Sequence, residues 1–355
     1  MKSKGKKSPL SGRILVLSHH GIGDTVMNLP FLHNLRRAAP EAEIHITVKS
    51  KVERILAERG LAGFPNVFLW ERSQVLNLIK SGKGFSAGFS LGIEPLKAWT
   101  LFKALRARKT YGYYAYLYHN KWWRWLYTAF LSNPGRLHKV ELSEQLWSCA
   151  FGGANEPLPQ PWIEAPPLPA QAPGGYVVFH PGSGALESHK RWPVARFVRL
   201  AAWLRERYQL ETVLLGGPSE KDLELDFDAA GSDAVSFIGK CDILESLGML
   251  GGARAVVGGD SGILHLAAAL GRPVVCVMGP TDPRITSPVG SNVRILSSGL
   301  SCAPCYGPGY IKGCGKPECM KSTEWGQVSE ALEEILNPSK ISLSRSKGAS
   351  DICPA

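Results

Sequence analysis

The sequence predicts an α/β protein made of repeated strand–turn–helix units with parallel sheets in two domains, and three observations carry that expectation. Short apolar runs at Arg13–Ser18, Tyr176–Phe179 and Ala255–Val257 each end in a glycine-rich turn that leads into a helical pattern; βαβ patterning of this kind gives parallel sheets. Residues 155–175 hold seven prolines and two closing glycines, after which the pattern restarts, as it does across a semi-rigid linker. The 355 residues, 44% hydrophobic and 20% charged, are enough for two soluble cores.

In chain order, Arg13–Ser18 (RILVLS) is a buried first strand, His19–Asp24 is its turn, and Thr25–Ala38 is an amphipathic helix with a bend at Pro30. Gly21-Ile22-Gly23 opens like a dinucleotide fingerprint. Val26 stands at the third glycine position, however, and the next strand, Glu43–Val48, ends in Lys49 where an acid would bind ribose. A redox nucleotide site is thereby disfavoured. Gly23 and Asp24 lie instead where open α/β sheets meet their ligands, at the carboxyl ends of the strands. A carboxylate there can take a proton from an attacking hydroxyl; the other reading of Asp24 is a helix N-cap.

The formal net charge of +11 is unevenly spread. Lys2, Lys4, Lys6, Lys7 and Arg13 precede residue 14 with no acid. Lys97, Lys103, Arg106, Arg108, Lys109, Lys121, Arg124, Arg136 and Lys139 lie between Glu94 and Glu141, again with none. These fourteen cations exceed the net excess, so the remainder is slightly acidic and the field points to a polyanionic partner. Residues 111–130 add ten aromatics around Lys121 and Arg124. Such a surface suits a membrane interface, sugar stacking or single-stranded nucleic acid, and aromatic helices packed into the core are the alternative. Ile14–Leu17 is too short for a signal-peptide core, and no uncharged apolar run approaches the ~20 residues of a spanning helix, so the expected location is the cytoplasm. Eight cysteines fit reduced thiols there.

The first domain is assigned to residues 1–154, the linker to 155–175, the second domain to 176–337, and 338–355 to a basic, serine-rich, disordered tail. In the second domain the turn His180–Gly184, with Ser183, precedes Lys190 and a helix over Val194–Tyr208; glycine, serine and a following lysine suit a phosphate. Thr212–Leu215 is the next strand, and Glu220 in the turn after it offers a carboxylate to ribose hydroxyls or simply opens a helix. Val235–Ile238 and Ile243–Leu250 supply a strand and a helix. The centre of the chain is Ala253–Pro283. Its turn, Gly259–Gly262, places Asp260, Ser261 and Gly262 at the start of a helix whose unpaired N–H groups favour an anion, with His265 one turn in. The other reading of Asp260 or Ser261 is a cap on that helix. Cys302, Cys305, Cys314 and Cys319 are spaced for a tetrahedral zinc site or are reduced loop thiols. Glu324–Leu336 is a last amphipathic helix.

The segment G-D-S-G-x-x-H-L-A-A-A-L-G-x-P-V-V followed by G-P-T-D-P, at Gly259–Pro283, resembles the donor-binding signature of glycosyltransferase family 9, the lipopolysaccharide heptosyltransferases. Two further motifs resemble that family in the same order: the strand-G-D-helix layout at Gly21–Asp24, and H-P-G-(x)n-K-R-W-P at His180–Pro193. His138–Gln145 resembles a helical segment common in it. One branch has histidine three residues after the aspartate, where this chain has Met27. The resemblance implies a GT-B architecture, two Rossmann-like domains with parallel sheets facing a central cleft, the first binding the acceptor and the second the nucleotide sugar. It implies inverting, metal-independent transfer without a cofactor, of heptose or a related sugar from an ADP-heptose-like donor to the anionic inner core of lipopolysaccharide. Asp24 would be the base, with Ser183, Lys190, Glu220, Asp260, Ser261, Gly262 and His265 holding the donor. Gly23, Lys121 and Arg124 would lie on the acceptor side, with peripheral contact at the cytoplasmic face of the inner membrane. A nucleotide-sugar epimerase of the same fold would convert donor without acceptor. A nucleic-acid-binding protein would explain the basic aromatic stretch but not the phosphate turns, so no nucleic-acid partner is expected.

Overall fold

The computed structural model describes residues 12–18, 21–114, 125–132, 137–153, 156–184, 187–306 and 316–337. The chain divides into two compact units, residues 1–164 with 284–286 and residues 165–283 with 287–355. The division after Glu164 falls inside the proline-rich stretch, where Trp162 and Ile163 are buried.

The first unit is a parallel sheet of β1 (Arg13–Ser18), β2 (Glu43–Val48), β3 (Val67–Glu71), β4 (Phe85–Leu91), β5 (Ala107–Tyr114) and β6 (Ala129–Ser132), in the order β3-β2-β1-β4-β5-β6. Ile14 of β1 stands opposite Ile44 on one side and Ala87 on the other. Ile14 to Leu17 are wholly buried, as the unbroken apolar run of a central parallel strand requires. Its helices are α1 (Ile22–Met27), α2 (Leu29–Ala38), α3 (Lys51–Gly60), α4 (Val75–Lys80), α5 (Pro95–Ala104) and α6 (Lys139–Phe151).

Two local expectations are corrected here. The stretch expected as one helix bent at Pro30 is two helices broken at Asn28, whose side-chain amide donates to the Ser18 hydroxyl at 2.9 Å. Pro30 then sits in the first turn of α2, where its missing N–H leaves no hydrogen bond unmade. The first of the aromatics, Tyr111 and Tyr113, lie buried in β5 rather than in a helix; residues 115–124 are outside the described residues.

The second unit contains β7 (Tyr176–His180), α7 (Val194–Tyr208), β8 (Glu211–Leu214), α8 (Asp222–Ala229), β9 (Val235–Ser236), α9 (Ile243–Gly252), β10 (Val256–Gly259), α10 (Gly262–Ala269) and β11 (Val274–Met278). α11 (Pro283–Thr286), whose residues 284–286 group with the first unit, β12 (Val293–Ser297), α12 (Glu318–Ser322) and α13 (Trp325–Leu336) follow. Its parallel sheet runs β12-β11-β10-β7-β8-β9, which read from the other edge is the plan of the first sheet used again. In both, the first strand lies in the middle and the winding reverses beside it, between β1 and β4 and between β7 and β10. Open α/β sheets bind ligands outside the carboxyl ends of their strands at such a reversal. The core of this unit gathers Phe179, Phe197, Phe227 and Trp192, whose indole N–H donates to the Thr323 carbonyl at 2.9 Å. Among the described residues no helix is long and apolar enough to cross a membrane.

Candidate functional site

In the first unit, Gly21 occupies the N-cap of α1 and Asp24 is the third helical residue, so the capping role open to Asp24 belongs elsewhere. Gly23 precedes it in the same turn. The Asp24 carboxylate is ion-paired with the Lys139 ammonium. Lys139 is the first residue of α6 and is buried, fixed by a cap in which the Val140 N–H donates to His138 Nδ1 and the His138 N–H donates to Glu141. Tyr113, fully buried on β5, lies close enough to feel both charges; burial pushes its hydroxyl above the ordinary tyrosine value. Sequence reading counted Lys139 only within a basic run. Its signal was position: a lysine directly after a capping residue stands at the positive end of a helix, where a cation is disfavoured.

In the second unit, the turns after β7 and β10 meet. Two close approaches bring them together: a Cβ on Gly258 would lie 2.5 Å from the His180 carbonyl oxygen, and one on Gly259 would lie 2.5 Å from that of Lys190. Lys190, buried at the end of a short turn over 188–190, places Nζ 3.3 Å from Asp260 and 3.1 Å from Glu187. The same ammonium lies 4.5 Å from the centre of the Tyr306 ring, and the Tyr306 hydroxyl donates to Glu187 at 2.6 Å. Burial works against the charge on Lys190, but the Asp260 and Glu187 carboxylates outweigh it and raise its pKa. Burial likewise disfavours an ionised Asp260, yet the neighbouring His265 ring and the Lys190 ammonium hold its carboxyl well below the usual range. His265 Nε2 lies 3.9 Å from Asp260.

Ser261 holds the N-cap position of α10 without capping it: its hydroxyl makes no cap hydrogen bond and is buried without a partner among the described residues. The buried Thr281 hydroxyl, in the turn after β11, lies beside the Asp260 carboxylate and adds to the stabilisation of its charge. With Gly262 opening α10, these turns offer an ammonium, helix N–H groups and the unused Ser261 hydroxyl, a donor set for an anion. Ser183 and Glu220 serve the turn itself. Ser183 donates to the Glu187 carbonyl at 2.6 Å, and the buried Glu220 accepts from the N–H groups of Gly184 and Gly217, both at 2.8 Å. Burial would raise the Glu220 pKa, but nearby His180 and those two amides bring it below the carboxylate norm. A Cβ at position 182 would run into this carboxylate, which is why the turn carries Gly182.

Lys121, Arg124 and Cys314 fall outside the described residues. Cys302 is exposed, Cys305 half-buried and Cys319 buried, and among the described residues no three metal-binding side chains come together.

The sequence pattern of glycosyltransferase family 9 (heptosyltransferase) matches residues 98–313. The chain belongs to that family. Within the glycosyltransferases of family 9, it is 32% identical over 173 residues to lipopolysaccharide heptosyltransferase 1 of Pseudomonas aeruginosa, a segment that spans about half (47%) of each chain. It is 23% identical over 329 residues to lipooligosaccharide heptosyltransferase 2 of Haemophilus ducreyi, covering 81% of this chain and 90% of that one. In three dimensions it resembles E. coli heptosyltransferase WaaC solved with ADP, with a TM-score of 0.66 at 19% identity, covering 91% of this chain and 99% of the other. That likeness establishes the fold, the α/β class with two parallel sheets expected from the sequence.

Proposed function

We propose that this family 9 member transfers a heptose or related sugar from an ADP-sugar to the inner core of lipopolysaccharide, with inversion and without a metal. The observation that carries the reading is the buried Lys190–Asp260 pair beside the unpartnered Ser261 hydroxyl at the start of α10. A cation and helix N–H groups at strand ends are what a departing nucleoside diphosphate needs. The ADP named with the E. coli structure favours adenine as its base.

In this reading the first unit binds the acceptor and the second the donor. Asp24 takes the proton of the acceptor hydroxyl as its oxygen bonds to the anomeric carbon. The bond from that carbon to the diphosphate breaks on the opposite face, which inverts the centre, and its electron pair goes to the diphosphate. Lys190 and the first N–H groups of α10 meet that charge, while Asp260 and His265 hold sugar or phosphate oxygens. Contact with an anionic membrane surface belongs to the same proposal. Trp125 is 84% exposed and Leu96 41%, with exposed Lys97 and Lys103 on α5. The Tyr127 hydroxyl, donating to the Pro95 carbonyl at 2.6 Å, ties Trp125's segment to the start of that helix.

Asp24→Asn tests the base. Its kcat is expected to fall by roughly 10²–10⁴ while the donor dissociation constant stays within about twofold. Unchanged turnover would remove Asp24 from the chemistry.

A further inference from the structure

We propose that Lys139 is the positioning residue for the Asp24 carboxylate, fixing its plane and keeping it ionised for proton transfer. The inference rests on the reading of Asp24 as the base, and on a placement that is otherwise unfavourable twice over. Lys139 stands at the first position of α6, where the helix dipole opposes a cation, and its side chain is nine-tenths buried, where desolvation opposes any charge. The carboxylate of Asp24 offsets both. The pair joins residues 115 apart in sequence, α1 to α6, so the carboxylate is anchored from outside its own turn.

The chemistry of the pairing is specific. The bond to the ammonium restricts the orientation of the carboxylate, and a base must lie within about 2.6–3.2 Å of the proton it accepts. A neighbouring cation also lowers a carboxylate's pKa, so Asp24 stays deprotonated at lower pH than it would alone. Among the described residues, α6 sets Lys139 against Asp24, and β5 sets Tyr113, whose hydroxyl burial keeps protonated. α3, packed on α1, brings Glu53, which accepts from the Ser50 hydroxyl of its own turn. Among the described residues, Lys139 is the cation paired with Asp24.

The test is the pH dependence of kcat/KM between about pH 5 and 9, measured on the full chain with ADP-heptose and a truncated lipopolysaccharide acceptor. Lys139→Met is expected to move the acid limb up by about one pH unit and to lower the plateau kcat about tenfold or more, with the donor KM within about twofold. Lys139→Arg is expected to keep the limb at the wild-type position. Should the Met variant not fold, Lys139→Gln, which keeps a donor without the charge, is expected to show the same displaced limb. An acid limb that stays put in the uncharged variants, or an Arg variant that behaves like them, overturns the proposal. Asp24→Asn separates the two readings: if it turns over normally the base assignment fails, whereas an inactive Asn variant with an unmoved limb at position 139 removes Lys139 alone.

Discussion

Lys190 keeps a charge that burial disfavours only because Asp260 and Glu187 surround it, so under the proposed function one side chain would serve both stability and donor binding. Removing one partner of a buried ion pair costs about 3–5 kcal/mol, because the other is left charged and unpaired. Lys190→Met should therefore lower both unfolding free energy and ADP affinity, the latter about tenfold or more. Lys190→Met with Asp260→Asn should recover much of the stability but none of the affinity; calorimetric titration alongside denaturant melts distinguishes the two. His45 shows the opposite solution to burial. It is stacked on Phe68 and accepts a hydrogen bond from the Trp70 indole at 3.0 Å. Burial, then the Arg13 guanidinium, bring its pKa down to about 4, against the opposing pull of Glu43. Between pH 6.5 and 4 the unfolded chain takes up a proton that the folded one refuses, so this contribution to stability is complete above pH 6.5 and declines as pH falls towards 4. From pH 7.5 to 5 the loss attributable to His45 should be about 2 kcal/mol. Denaturation midpoints of wild type and His45→Gln at the two pH values measure it, as the difference between their slopes.

The βαβ unit β10–α10–β11 depends on backbone contact more than on side chains. Gly258 lies against the His180 carbonyl and Gly259 against that of Lys190, both positions where backbone leaves no room for a methyl group. Gly258→Ala should cost about 1–3 kcal/mol through forced separation of β7 and β10, and should weaken ADP binding as the Lys190 turn shifts. A variant with wild-type melting would show that the strands can part freely. This unit was readable from the sequence because periodicity, glycine and motif agreed over Ala253–Pro283. A bend was expected at Pro30, from its missing N–H, and the break falls two residues earlier at Asn28; the Asn28–Ser18 hydrogen bond that accompanies it joins residues ten apart, which no local pattern encodes. The β5 aromatics misled for a related reason: tyrosine suits strands, cores and interfaces alike, and only the pairing of Tyr111 with Phe89 of β4 selects one. Asp24, Lys190, Asp260 and Ser261 were nameable from motifs. Lys139 was not: its place after a capping residue marks it as unusual, but its partner lies 115 residues away and no motif names it.

Both sheets and their strand order follow from a simple repeated plan, and the charge is distributed unequally over it. The exposed cations of α5 with Leu96 and Trp125 predict binding to vesicles containing anionic lipid and not to neutral ones, weakening as salt rises. Trp125→Ala should reduce co-sedimentation several-fold without altering ADP affinity; equal binding by the variant would place the contact elsewhere. The shared plan has a further consequence. Each sheet carries its own reversal of winding, one beside Asp24 and one beside Lys190 and Asp260, and neither set of residues borrows a strand from the other. On the proposed assignment of acceptor to one crevice and donor to the other, a chain arranged in this way can exchange the partner recognised at one while inheriting the other intact, so new acceptors and new donors could be tried one at a time.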